Sequence, residues 1–218
     1  MLTSSRTSFI LRRVLAEPNR GRRAERKEAT RAEILDAAWA QVRADGLAAL
    51  SLRDLARTVG MQPPSLYSYF DSKNAIYDAM YAQGARRFVE AEPPEPTDDK
   101  LEGMKDLVRY FVGFCAEDAA RYLLLFHRTI PGFEPSAESF AISQGSIERL
   151  GQRMEACGIT DPDAIDLFTA IGTGLTAQQL SNDPGGDRYI RLIDQAVEMF
   201  YDYTTKEVQQ PAKRRPKK

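Results

Sequence analysis

Ser51-Leu52-Arg53-Asp54-Leu55-Ala56-Arg57-Thr58-Val59-Gly60, followed after Met61-Gln62-Pro63-Pro64 by Ser65-Leu66-Tyr67-Ser68-Tyr69-Phe70-Asp71-Ser72-Lys73-Asn74, is the stretch whose punctuation decides the architecture. Ser51-x-x-Asp54 reads as a capping box, in which a hydroxyl accepts the backbone N–H of the first helical turn and an acid answers it. It opens a very short helix with Leu52, Leu55, Ala56 and Val59 at helical spacing. Gly60 stops that helix, because glycine takes positive φ without steric cost. Pro63 and Pro64 suit the first turn of another helix, where a missing N–H costs nothing, and Ser65 to Phe70 supply its body, barely two turns long. Leu66 and Phe70 point inward from it, and the small Ala56 suits the place where the two helices cross. A helix, a glycine turn and a second short helix form the geometry that lowers a helix into the DNA major groove. Short helical pairs also occur in many globular proteins, so this spacing alone leaves the function open.

Working outward, Thr30 precedes Ile34, Leu35, Ala38, Trp39 and Val42, and Thr30-x-x-Glu33 repeats the capping signature, so order is expected to begin at Thr30 and the first helix to end at Gly46. Residues 1–28 show no sustained period and are rich in Arg and Ser, which marks a basic flexible arm. Downstream, Ser72 is placed to cap a fourth helix that runs to about residue 92, where Pro93, Pro94 and Pro96 break the chain. Further helices are expected at about 98–117, 118–129, 136–157, 162–181 and 186–205, separated by Pro131-Gly132, Gly158 and Asp183-Pro184-Gly185-Gly186. No stretch alternates with period two between hairpin turns. The expected fold is all-α, about nine helices: an arm over 1–28, a three-helix helix-turn-helix domain over 29–74, a helical domain over 75–205 and a basic disordered tail over 206–218.

The near-neutral total of 30 basic and 31 acidic residues hides an uneven distribution. Residues 1–31 carry net +6 and residues 206–218 net +5, so the stretch between them is strongly acidic. The ends could attract a polyanion that the body repels, although solvated tails explain each end equally well. Two cysteines, Cys115 and Cys157, one histidine, His127, and no CxxC or HxxxH spacing argue against a metal site, a disulfide framework or a cofactor. No Gly-rich phosphate loop and no GxSxG nucleophile motif is present, so nothing supports an enzyme. The apolar run Phe9-Ile10-Leu11 is too short for a signal peptide, and no run approaches the ~20 apolar residues that cross a bilayer. The expectation is a soluble cytoplasmic protein with no membrane partner.

The string from Ser51 to Gly60 with Ser65 to Asn74, and before it Thr30-Arg31-Ala32-Glu33-Ile34-Leu35-Asp36-Ala37-Ala38, closely resembles the DNA-binding domain of the tetracycline-repressor family. The resemblance covers about residues 28–75; beyond them only the helical layout and a loose similarity around Gly172-Thr173-Gly174 accompany it. It implies a transcriptional regulator that binds a palindromic double-stranded DNA operator as a homodimer, with repression relieved by a small, largely apolar effector. It further implies that Tyr67 approaches the groove and Tyr69 the phosphates, and that Lys73 meets a phosphate at a helix start. Thr30 and Ser51 are candidates for phosphate contact beside their capping role. Base readout falls to Gln62, Pro63, Ser65 and Tyr67, since the first residues of a recognition helix reach base edges. Gln62 can offer a bidentate amide to adenine, whereas the prolines offer only apolar surface where the family usually carries small or basic residues.

The resemblance also implies an effector cavity among the later helices, with the fourth helix carrying strain to the DNA module. Candidates to line it are Tyr110, Phe114, Phe126 and Phe168, with His127, Gln144 and Thr173 to orient a ligand. Each aromatic is first of all a core residue, and His127 equally suits a satisfied interior position. Dimerisation is assigned to the last two helices through two stripes: Ile165, Phe168, Ile171, Gly172, Leu175 and Gln179, then Tyr189, Leu192, Ile193, Ala196, Val197, Phe200 and Tyr201. A helical protein-interaction module with nucleic-acid-binding tails is the alternative.

Overall fold

A computed structural model describes residues 5–91 and 97–207, with side chains over 21–91 and 97–205. The described residues form helices α1 (Ser5–Asp45), α2 (Leu52–Thr58), α3 (Pro63–Leu66), α4 (Lys73–Glu90), α5 (Lys100–Ala116), α6 (Ala119–Phe126), α7 (Ala137–Ala156), α8 (Pro162–Asn182) and α9 (Ile193–Glu207). Short 3-10 turns at Leu47–Ala49 and Ile190–Leu192 complete them, and no strand occurs among the described residues. The chain divides into two compact units, Met1–Met80 and Tyr81–Lys218. Beyond Glu207 the expected basic tail lies outside the described residues, as do residues 1–4 of the arm.

In the first unit, Ile34, Ala38, Trp39 and Val42 of α1 are buried together with Leu55 and Ala56 of α2, Leu66, Phe70, and Ile76, Tyr77 and Met80 of α4. Helix α2 packs on both α1 and α3, and Ala56 is fully buried, as a residue at a close crossing must be. The C-terminus of α2 closes on Gly60, whose φ is 69°. There Met61 N–H donates to Ala56 O at 2.8 Å and Gly60 N–H to Arg57 O at 3.1 Å, the paired bonds that end a helix on a left-handed residue. Tyr77 donates its hydroxyl to Leu47 O, tying α4 to the first 3-10 turn.

Three local expectations are corrected here. Thr30 does not start a helix: α1 begins at Ser5, so the residues expected as an unperiodic arm lie, from Ser5 onward, in the same helix as Ile34 and Val42. Between Gly21 and Arg31 the chain is dominated by Arg, Lys, Glu and Ala, strong helix formers with no breaker, and propagation through them outweighs one threonine's capping preference. At Ser51 only half of the capping box forms. Its Oγ accepts Asp54 N–H at 3.3 Å, but its own N–H donates to Gln41 Oε1 and the Asp54 carboxylate pairs with Arg57 at 2.7 Å. Finally, α3 is helical only to Leu66 and continues to Phe70 as hydrogen-bonded turns, while Ser68 Oγ donates to Ser65 O at 2.7 Å.

The second unit is built around α5, which packs against α8 and α9. Met104, Val108 and Val112 of α5 meet Phe168 of α8 and Ile193, Val197 and Phe200 of α9, closed below by Met154 and Ile159. Charges set the α5–α9 register. Arg109 binds Asp194 through two bonds of 3.0 and 2.7 Å and also reaches Glu102 and Asp106, while Lys105 meets Glu198 at 2.6 Å. The expected last helix over 186–205 starts later, at Ile193, because the buried Gln179 organises the preceding loop. Its Nε2 donates to Asp183 O and to Gly186 O at 3.0 Å, and its Oε1 accepts Tyr189 N–H at 2.9 Å. These bonds satisfy loop groups that a longer helix would have paired internally.

Gln179, Phe168, Gly172, Ile193, Val197 and Phe200 therefore face their own chain, which corrects the stripes assigned to dimerisation. A Cβ at Gly172 would sit 3.4 Å from the Phe111 ring, so that glycine accommodates α5. The apolar residues left outward on the last two helices and the turn before α9 are Leu167, Leu192, Met199 and Tyr203.

Arg109 hydrogen bonds hold the Asp194 carboxyl below its ordinary range, and the Arg188 backbone N–H does the same for Asp183. A carboxyl whose folded pKa is depressed stabilises the fold above its unfolded pKa and ceases to as pH falls through the folded one. Folding stability is thus expected to decline as pH falls below about 4, the ordinary range of an aspartate. Asp194→Asn should flatten that acid limb in urea titrations, and an unchanged limb would remove the pair from the account.

Candidate functional site

The first unit presents a contiguous exposed edge at the start of α3. Gln62 occupies the N-cap in extended conformation (φ −78°, ψ 143°), and its side chain makes no capping bond and is exposed. Pro63 fills the first helical position, Ser65 is exposed and Tyr67 is 52% exposed. Leu66 and Phe70 anchor the opposite side at 1% and 3% exposure, so the edge is held out from a packed base. Tyr69 is half-buried, and its carbonyl accepts the Arg31 guanidinium, which also lies 4.2 Å above the Phe70 ring.

The proposed phosphate contacts fall less uniformly. Lys73 is half-buried, donates to Ala48 O at 3.1 Å and lies 5.5 Å from the Tyr77 ring, so its ammonium is engaged with the unit itself. Ser72, next to it, caps α4 by accepting Ala75 N–H at 3.1 Å. Ser51 is occupied as a cap, and Thr30 sits within α1. Arg31 was missed by sequence reasoning. Its role depends on Tyr69 and Phe70, 38 and 39 residues away, and no local pattern signals that contact.

In the second unit, aromatic side chains converge from α4, α5 and α6. Phe88 lies 5.6 Å from Tyr110, 4.9 Å from Phe114 and 5.6 Å from Phe126, and Phe111 is 5.1 Å from Phe126. The Tyr110 hydroxyl donates to Phe88 O at 2.6 Å. Tyr122 places its hydroxyl 2.7 Å from His127 Nε2 and donates to Thr173 O at 3.2 Å, joining the end of α6 to α8. Of the expected ligand residues, Tyr110, Phe114, Phe126, His127 and Thr173 thus share one neighbourhood. Phe168 does not: it packs on Phe200 at 5.3 Å in the other core cluster. Gln144 is exposed on α7.

Burial pushes the Cys115 thiol up to about 12 and the Tyr122 phenol up to about 12, so both stay neutral and Cys115 is an inert apolar filler at neutral pH. Arg121 was also missed. It is 3% exposed on α6, stacks 3.8 Å from the Phe114 centroid and donates to Phe114 O at 2.6 Å. The only signal for it is a lone base inside the apolar run Ala119 to Phe126. Among the described residues, no group of three or more His, Cys, Asp or Glu could hold a metal, and no helix is long and apolar enough to cross a membrane.

Residues 34–80 match the family model described as bacterial regulatory proteins, tetR family. HTH-type transcriptional regulators of Mycobacterium bovis and Mycobacterium tuberculosis are 26% identical to this chain over 117 residues, 52% of this chain and 50% of theirs. The chain spans about half the length of the curated relatives it matches. The fold is similar to that of a protein of unknown function from Rhodococcus sp. RHA1, with TM-score 0.66 and 19% identity, over 80% of this chain and 95% of that one. It is also similar to a TetR variant of Acinetobacter baumannii in complex with minocycline, with TM-score 0.53 and 18% identity, over 82% and 97% of the two chains.

Proposed function

We propose that the chain, whose residues 34–80 match the tetR family of bacterial regulatory proteins, is a DNA-binding transcriptional regulator of that family, a homodimeric repressor released from a palindromic operator by a small, largely apolar effector. The observation that carries the DNA-binding part is the edge formed by exposed Gln62, Ser65 and Tyr67 with half-buried Pro63, above the buried pair Leu66 and Phe70. That edge enters the major groove, where Gln62 hydrogen-bonds a base, Pro63 gives apolar contact, and Ser65 and Tyr67 complete the readout. Tyr69, Lys73, Ser51 and Thr30 are assigned to the backbone, with Lys73 leaving Ala48 O for a phosphate. The exposed bases Arg22, Arg23, Arg26 and Lys27 of α1 add sequence-independent attraction.

The effector binds in the aromatic neighbourhood of Tyr110, Phe114 and Phe126, with His127 and Thr173 as polar partners; Phe168 and Gln144 are left out of this assignment. A solved structure of similar fold is a complex with minocycline, which supports a small-molecule ligand for this chain. The dimer forms through the outer faces of the last two helices, with Leu167, Leu192, Met199 and Tyr203 as the apolar contacts, and it spaces two recognition edges about 34 Å apart on one face of DNA.

Selection from random duplexes tests this function directly. A two-fold symmetric motif is expected for the full chain, and recovery of no motif overturns it. Gln62→Ala should weaken the selected site by about 1–3 kcal/mol and relax preference at one position of each half-site. An unchanged motif for that variant would take Gln62 off the readout surface.

A further inference from the structure

Arg121 stands apart from every other base of the chain whose side chain is described. It is buried at 3% exposure, and its Nε is the one buried side-chain nitrogen or oxygen without a hydrogen-bond partner among the described residues. Its remaining contacts leave the charge poorly matched. One terminal nitrogen donates to Phe114 O at 2.6 Å and reaches Glu117 Oε2 only at 3.3 Å, and the Glu117 side chain is 65% exposed to water. The neighbouring acid Asp118 accepts the Arg121 backbone N–H at 3.0 Å, as the α6 N-cap. A guanidinium withdrawn from water ordinarily has its donors matched by acceptors, because an unmatched charge is costly to bury.

The surroundings of that guanidinium are aromatic. It stacks on Phe114, whose ring centroid lies 4.9 Å from that of Phe88, and Phe88, Phe111, Leu125 and Phe126, which pack on the same cluster as Phe114, are only partly buried. Gly84 lets Leu125 and Arg121 pack closely on α4, since a Cβ there would lie 3.3 Å from Leu125 and 3.5 Å from Arg121 Cγ. An incompletely covered apolar wall beside a guanidinium whose Nε has no acceptor is complementary to a molecule with an apolar body and an anionic head.

We propose that the effector is an amphipathic organic acid whose carboxylate accepts from Arg121 Nε while its apolar body lies among Phe88, Phe111 and Phe126. The assignment rests on the effector reading above and narrows it to one chemical class. Glu117 acts as a surface competitor for the guanidinium, which the incoming carboxylate displaces. Guanidinium–carboxylate bonds are charge-assisted, so replacing the carboxylate by an isosteric amide forfeits much of the head-group contact.

Matched pairs test this on the full chain by titration calorimetry: 2-naphthoate against 2-naphthamide, and dodecanoate against dodecanamide. Each acid is expected to bind about tenfold or more tightly than its amide. Arg121→Gln should level each pair, and the exposed Glu117→Gln should tighten the acids by about threefold without changing the amides, a comparison that stands even where the Arg121 variant does not fold. Acids and amides binding alike to the parent chain would overturn the anionic assignment and leave the effector site in place. Survival of the acid preference in folded Arg121→Gln, or an acid affinity unaltered by Glu117→Gln, would also overturn it. Binding of neither member of either pair would count against the effector site itself, and the proposal would fall with it.

Discussion

Val197→Asp is expected to unfold the second unit, whereas Met199→Asp, two residues along the same helix, should leave it folded but monomeric and unable to hold its operator. Val197 has no exposed surface and lies in the cluster that joins α5, α8 and α9, so a carboxylate there would be buried without a partner. Such a substitution falls among the severe class, at about 3–5 kcal/mol, a large part of the stability of an ordinary domain. Met199 is 67% exposed, so a charge there costs the single chain little and acts only where two copies meet. Loss of the dimer separates the two recognition edges, and operator affinity should fall by at least about a hundredfold, since each half-site then binds alone. Ile147→Asp is the control, because Ile147 is 60% exposed on α7, outside the proposed interface. Sedimentation of the three variants with circular dichroism separates the outcomes. A Met199→Asp chain that sediments as a dimer would move the interface elsewhere, and a dissociated Ile147→Asp chain would move it to α7.

The turn between α2 and α3 gives the second large effect. Gly60 has φ 69° and a Cβ built on it meets nothing within 4 Å, so the constraint is backbone conformation alone. Gly60→Asn should be nearly neutral, because asparagine tolerates the left-handed region. Gly60→Val should cost about 2 kcal/mol or more, since a branched Cβ is least compatible with positive φ. Relief of that strain would break the bonds Met61 N–H to Ala56 O and Gly60 N–H to Arg57 O, turning α3 on its base. Operator affinity should therefore fall by more than the loss of folded protein explains. Denaturant unfolding alongside operator titration distinguishes the two terms, and equal behaviour of the Val and Asn variants would show that the turn does not need a left-handed residue.

The local punctuation of the DNA-binding unit was legible because each signal acts over a few residues. Ser51, Gly60, Pro63 and Ser72 occupy the cap, turn and first-turn positions that their chemistry favours. Thr30 failed for the same reason that others succeeded: capping is worth about 1 kcal/mol, and a run of helix formers on its N-terminal side outweighs one such preference. The aromatic neighbourhood was half legible. Hydrophobic spacing identifies Tyr110, Phe114 and Phe126 as inward residues, but it carries no information on which of two adjoining clusters an inward residue joins, so Phe168 was grouped with them and Phe88 was not.

From its sequence alone this chain determined an all-helical fold, a short helix–turn–helix edge with Gln62, Ser65 and Tyr67 on its outer side, and the acidic body between basic ends. These follow from helical period, from the conformational limits of Gly and Pro, and from counting charge, all of which are local or additive. Tertiary structure alone decided that Val197 and Phe200 face α5 while Met199 and Tyr203 face outward, that Gln179 holds a loop, that Arg31 grips the far end of the recognition segment, and that Arg121 is withdrawn from water beside Phe114. Each depends on which element packs on which face of another, over separations of 4 to 93 residues in the hydrogen bonds that record it. A broad apolar stripe on a helix admits either of its edges to the core, and only the neighbour that arrives there decides between them.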